Sequence, residues 1–162
     1  MATILDVAAQ GGIIKYDPDL KVGEQEERLF YLFPKAVSRI EQKVAKLASA
    51  FGSEITPLEQ LDALLATFCA GDVMSFGRQF HPLRHVDLGI WELKTADLRL
   101  FGWFSARDCF VCTNIDDATQ IKRSQMYTGY RDEAVRLRAT LPLSDPKFVP
   151  GDDPNDVVSN FC

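Results

Sequence analysis

The chain has 162 residues, 46% of them hydrophobic and 25% charged, with a net charge of −5. That is enough apolar material for one core and a length that suits one domain rather than two. The acidity argues against a general nucleic-acid binder, and no apolar run approaches the roughly 18 residues of a membrane helix. The start, Met1-Ala2-Thr3-Ile4-Leu5-Asp6, lacks the basic opening of a secretory leader. Cys69, Cys109, Cys112 and Cys162 are too few and too scattered for a secreted disulfide framework. Together these features lead us to expect a cytoplasmic protein with reduced thiols. The charge is unevenly spread: residues 1–77 carry −4, residues 78–138 carry +2 and residues 139–162 carry −3.

Residues 1–27 are weakly patterned and punctuated by Gly11-Gly12, Asp17-Pro18 and Gly23. The apolar run from Leu29 to Phe33 stops at Pro34, as a short buried strand or the entry to a helix. From Lys35 to Phe51 the period is helical, with Val37, Ile40, Val44, Leu47 and Phe51 on one stripe and Gly52 as the stop. A second helix opens with Thr56 as N-cap, Pro57 at the first position and Glu59 in the first turn. Leu58, Leu61, Leu64, Leu65 and Phe68 form its stripe. The two helices read as an αα-hairpin.

Residues 72–88 read as a loop broken by Gly77 and Pro82. Three β-rich runs follow, at 89–94, 98–104 and 109–113, joined by links of hairpin length. In the second run Leu98, Leu100 and Phe104 alternate with Arg99, Phe101 and Trp103, so Arg99 leaves the sheet on the side of the two aromatics. A last helix is expected from Ser124 or Thr128 to Leu141. The tail holds four of the eight prolines, Pro142, Pro146, Pro150 and Pro154, and is expected to lie extended. The expected architecture is therefore α+β: an N-terminal helical hairpin, a three-stranded antiparallel meander, a C-terminal helix and a Pro/Asp-rich tail. The domain spans residues 1–141 and the tail residues 142–162.

The motifs of cofactor chemistry are missing. No Gly-rich phosphate loop or dinucleotide fingerprint is present, and no cofactor is expected. Cys109 and Cys112 stand three apart in a strand, so they point to opposite faces and read as buried thiols. His81 and His85 have helical metal spacing, but Pro82 opposes a helix there, and no metal site is expected.

Four stretches carry a resemblance. Gly89-Ile90-Trp91-Glu92-Leu93-Lys94, Leu98-Arg99-Leu100-Phe101, Cys109-Phe110-Val111-Cys112, and Ile121-Lys122-Arg123 followed by Tyr127, Tyr130 and Asp132-Glu133-Ala134 resemble the RelE/ParE toxin superfamily, in its phage-derived HigB-like branch. The likeness covers about residues 57–141 and leaves residues 1–56 as an N-terminal extension. It implies a toxin of a type II toxin–antitoxin system, an mRNA endoribonuclease acting without a metal. Its partners would be mRNA on the ribosome and a neutralising antitoxin or other protein. By position, Arg99 would stabilise charge on the scissile phosphate, Glu92 would serve as general base, and Tyr130 would stack on a base or transfer a proton. Lys94, Lys122 and Arg123 would hold the RNA backbone, with Trp103 and Tyr127 as stacking surfaces. Where related ribonucleases present two lysines on the first strand, this chain has Ile90 and Glu92. That departure, with the net acidity, motivates the alternative of a non-catalytic binding or inhibitor protein on the same scaffold.

The residues also have plain structural readings. Arg99 could be a solvated strand residue, Glu92 and Lys94 a surface charge pair, and Phe101, Trp103, Tyr127 and Tyr130 packing residues.

Overall fold

The computed structural model describes residues 2–162. The chain is α+β, built on a six-stranded mixed sheet in the order β1-β2-β6-β5-β4-β3. In chain order the elements are α1 (Ile4–Ala9), β1 (Ile14–Lys15), β2 (Leu29–Leu32), α2 (Pro34–Gln42), α3 (Pro57–Cys69), β3 (Phe80–Pro82), β4 (Trp91–Lys94), β5 (Leu98–Ala106), β6 (Cys109–Asp117), α4 (Ala118–Ser124) and α5 (Tyr127–Thr140). No helix among the described residues is long and apolar enough to cross a membrane.

This corrects the expected three-stranded meander with a helical hairpin. The run Leu29–Leu32 is a strand, and it pairs in parallel with Cys109–Cys112. Its continuous apolar character fits a strand buried on both faces. Residues 80–82, read as loop, form an edge strand antiparallel to β4. The stripe from Val37 to Phe51 does not make one helix: α2 ends at Gln42, a short 3-10 turn follows, and Phe51 is 72% exposed. An amphipathic pattern is a weak local preference that packing overrides. Here α2 packs beside β6 instead of pairing with α3.

Two apolar layers sandwich the sheet. On one face Phe30, Trp91, Leu93, Leu98, Leu100, Phe104, Phe110 and Ile115 meet α3 and the first turn of α2. On the other, Tyr31, Phe101, Trp103 and Val111 meet α1, α4 and α5. Cys109 and Cys112 fall in different layers. The proline tail is not a loose extension. Val157 and Val158 are buried in the first layer, and residues 160–162 exchange backbone hydrogen bonds with Met74 and Phe76.

A bulge in β6 shapes the face that α5 covers. Phe101 pairs with Asn114 but Gly102 with Cys112, leaving Thr113 as the extra residue. The Thr113 hydroxyl donates to the Phe101 carbonyl at 3.1 Å. The bulge switches the side-chain parity, so Asn114 and Asp116 turn toward α5. Asn114 then donates to Glu133, and the Tyr130 hydroxyl donates to Asp116. Arg39 and Lys43 of α2 also reach Asp116. Desolvation alone would raise the Asp116 pKa, but hydrogen bonds from Lys43 and Tyr130 outweigh it and hold the carboxyl below its usual range.

Gly102 is obligatory at this bulge. A Cβ there would stand 2.0 Å from the Val111 carbonyl oxygen, and backbone cannot yield that far. Gly102→Ala is expected to cost about 3 kcal/mol or more, read as a shift of the urea midpoint. A midpoint within error of wild type would contradict the bulge.

Candidate functional site

Helix α5 covers only part of its sheet face. Its first turn stops short of the β3–β4 edge, leaving a strip of sheet open between α5, the end of α4 and the segment after β3. The resulting cleft has a volume of about 500 Å³. Strand alternation supplies its floor: Glu92 and Lys94 from β4, His81 opposite Glu92 on β3, and Arg99 opposite Lys94 on β5. Lys122, Tyr127, Arg131 and Arg84 form the rim.

Glu92 is 1% exposed and lies at the centre. Its Oε1 is 3.0 Å from His81 Nε2 and 3.7 Å from Arg99 Nε. Its Oε2 has no hydrogen-bond partner among the described residues, leaving a buried acceptor unused. His81 is fixed at both nitrogens, because its Nδ1 is 3.0 Å from the Pro82 carbonyl oxygen. A carbonyl and an ionised carboxylate both only accept, so serving both requires the imidazolium form. The pKa of His81 is accordingly raised above its usual 6.5, the hydrogen bond to Glu92 being the main cause.

Arg99 is held by Nη1, which donates to the carbonyls of Thr95 and Leu98 at 2.7 and 2.9 Å. Lys94 has its pKa lowered, first by desolvation and then by the like charges of Arg99 and Lys122, against the opposing pull of Glu92. Tyr127 has its pKa raised, chiefly by burial and by Glu92. Arg131 is positioned by donating Nη1 to the Arg84 carbonyl at 2.7 Å. Five permanent cations, Arg84, Lys94, Arg99, Lys122 and Arg131, thus line the cleft with one carboxylate. The net acidity of the chain hides this local excess.

Of the residues singled out from the sequence, Glu92, Lys94, Arg99, Lys122 and Tyr127 meet in the cleft. Three do not line it. Tyr130 is buried, stacked on Phe101 at a centroid distance of 5.0 Å and committed to Asp116. Trp103 is fully buried beneath Phe33, so it has no ring face for a base. Arg123 is exposed on α4, outside the cleft.

The sequence reading missed His81, Arg84 and Arg131 as site residues. His81 sits on a three-residue strand ending in Pro82, too short to show an alternating period. Only its register against Glu92 reveals it. His85 is exposed and does not reach the cleft. Among the described residues no cluster of His, Cys, Asp and Glu is arranged to hold a metal ion.

Comparison of the chain with protein-family models, with curated proteins and with solved structures finds no match.

Proposed function

We propose that this protein is an endoribonuclease that cleaves single-stranded RNA by attack of a 2′-hydroxyl on the adjacent phosphate, in the manner of a RelE/ParE-type toxin. One observation carries the reading: a buried carboxylate with an unpaired oxygen, hydrogen-bonded to His81 and beside Arg99, at the floor of a cleft ringed by positive charge. The cations match a phosphodiester, and a fixed carboxylate in their midst is a base poised to take a proton.

The roles follow from position. Glu92 Oε2 accepts the proton of the 2′-hydroxyl. His81 is a positioning residue, holding Glu92 through Oε1 and leaving Oε2 unpaired. Arg99 offsets charge growing on the non-bridging oxygens. Lys94 protonates the departing 5′-oxygen, and burial and neighbouring cations make its ammonium a better acid than usual. Glu92 and Lys94 stand two residues apart on one strand face, about 7 Å. That spacing leaves room for a phosphorus between base and acid, as in-line displacement requires. Lys122, Arg84 and Arg131 hold flanking phosphates. The chemistry ends in a 2′,3′-cyclic phosphate and a free 5′-hydroxyl.

The direct test is incubation of the purified protein with an unstructured RNA oligonucleotide in the presence of chelator, alone and with ribosomes. The expected products carry 2′,3′-cyclic phosphate ends. A single 2′-deoxy substitution should protect its own linkage. Intact RNA in both settings, with binding retained, would favour the alternative of a non-catalytic binding protein, which the net charge of −5 motivates.

A second expectation concerns pH. A raised folded-state pKa means that the protonated His81 contributes stability fully below its ordinary value of 6.5. That contribution fades as pH rises through the higher folded value. The melting temperature of His81→Gln should therefore fall furthest below wild type at about pH 6 and lower, and the gap should close toward alkaline pH. A gap that widens with pH would reverse the assignment of His81 as imidazolium.

A further inference from the structure

The second half of α5 holds a buried cation that the cleft does not use. Arg138 is only 8% exposed, although arginine is rarely buried without a counter-charge. Its guanidinium lies 3.6 Å from the centroid of the Phe148 ring and 5.9 Å from that of Trp103. Both rings lie within cation–π range of the guanidinium, and neither offers an acceptor to its N–H groups. Nη1 finds none among the described residues, and no carboxylate there lies within ion-pair distance. Burial lowers the pKa of Arg138 with no opposing charge to restore it. A buried cation without a counter-charge is costly, and an anion within reach of its N–H groups would offset that cost.

An open cavity of about 540 Å³ adjoins it, with Val135, Arg138, Ala139, Asp145, Lys147 and Phe148 among its walls. Lys147 brings a second cation and is tethered there by a 3.3 Å hydrogen bond from Nζ to the Ala139 carbonyl. The site lies seven residues along α5 from Arg131, about 10 Å away, and shares no lining residue with the catalytic cleft.

We propose that this cavity is a phosphate-binding site, in which the edge of Arg138 and the ammonium of Lys147 hold the oxygens of a phosphate group. A guanidinium presents parallel N–H donors, a geometry that suits a phosphate oxyanion. The apolar walls of Val135 and Phe148 would accept the body of a nucleotide, and inorganic phosphate offers the same oxygens without it. Asp145, at the mouth, works against any anion. The proposal does not depend on the reaction performed in the cleft.

The test is a titration of the full chain with inorganic phosphate, at ionic strength matched by chloride, following the arginine Nε–Hε resonances by NMR. A saturable shift of Arg138 is expected. With the Phe148 backbone amide as reporter for the variant that lacks the Arg138 signal, Arg138→Gln should weaken that site about tenfold or more; Lys147→Gln should weaken it about threefold, and Asp145→Asn should strengthen it. Repeating the titration with a nucleoside 5′-monophosphate distinguishes the sources, since tighter binding assigns the site to nucleotides and equal binding to free phosphate. An Arg138 resonance unmoved at saturation overturns the proposal, even where phosphate shifts Arg99 or Arg131 in the cleft. If Arg138→Gln fails to fold, unchanged affinity in both Lys147→Gln and Asp145→Asn overturns it equally.

Discussion

Glu92→Gln is expected to slow RNA cleavage by about a hundredfold to ten-thousandfold, the usual worth of a general base, while the protein still folds and binds RNA. Glutamine keeps the length and shape of the side chain, and its oxygen can still accept from His81. It loses the ability to take the 2′-hydroxyl proton. Binding should not weaken, because the change removes the one negative charge from a cleft lined by Arg84, Lys94, Arg99, Lys122 and Arg131. The split is the informative part: turnover falls while affinity for a 2′-deoxy analogue holds or improves. A charge-pair role for Glu92 would predict the reverse, with loosened folding and unchanged turnover in the molecules that remain folded. Unchanged cleavage by a well-folded Glu92→Gln protein would remove Glu92 from the mechanism.

The largest loss of stability is expected at Arg28, which no catalytic reading involves. Its side chain is fully buried, yet it is saturated with partners. Nη1 donates to the Phe68 carbonyl at 2.9 Å, and Nη2 donates to the carbonyls of Asp72 and Asn160, each at 3.0 Å. Nε lies 3.3 Å from Asp108. One guanidinium thereby joins the start of β2, the end of α3, the β5–β6 turn and the C-terminal tail. Arg28→Met fills a similar space but strands three carbonyls and a carboxylate. The expected cost is about 3–5 kcal/mol, a fall in melting temperature of roughly 10 °C for a chain of this size. Asp108→Asn should cost about 1 kcal/mol, since asparagine tolerates the positive φ of 64° at that turn. Differential scanning calorimetry of both variants checks the ranking. A melting point for Arg28→Met within a degree or two of wild type would mean that the tail is held by its apolar residues alone.

Much of the site could be read locally. The spacing of Glu92 and Lys94 places both on one face of β4, and the alternation around Arg99 places it on the face of Phe101 and Trp103, because successive residues in a strand point to opposite sides; the register that sets Arg99 opposite Lys94 came from the pairing of the two strands. Thr56, Pro57 and Glu59 mark the start of α3 through hydrogen bonds made within four residues, and the structure has that capping box. The apolar run before Pro34 was legible as a buried element. Trp103 shows the limit of such reading. Its strand face was identifiable, but whether that face met RNA, solvent or protein depended on Phe33 and Arg138, residues far away in the chain.

What the sequence by itself determined is thus the set of local periods, caps and strand faces, each fixed by residues within one or two turns of chain. What only the tertiary structure decided is pairing and coverage: β2 beside β6, β3 beside β4, the tail inside the core and α5 stopping short of Glu92. The parity switch at Thr113, which turns Asn114 and Asp116 toward α5, belongs with these. The reason is physical. A period is enforced by backbone geometry at each residue, whereas pairing between distant segments is selected by total burial and polar satisfaction over the whole chain. His81 shows the difference, since it becomes part of the site only when the sheet sets it 3.0 Å from Glu92.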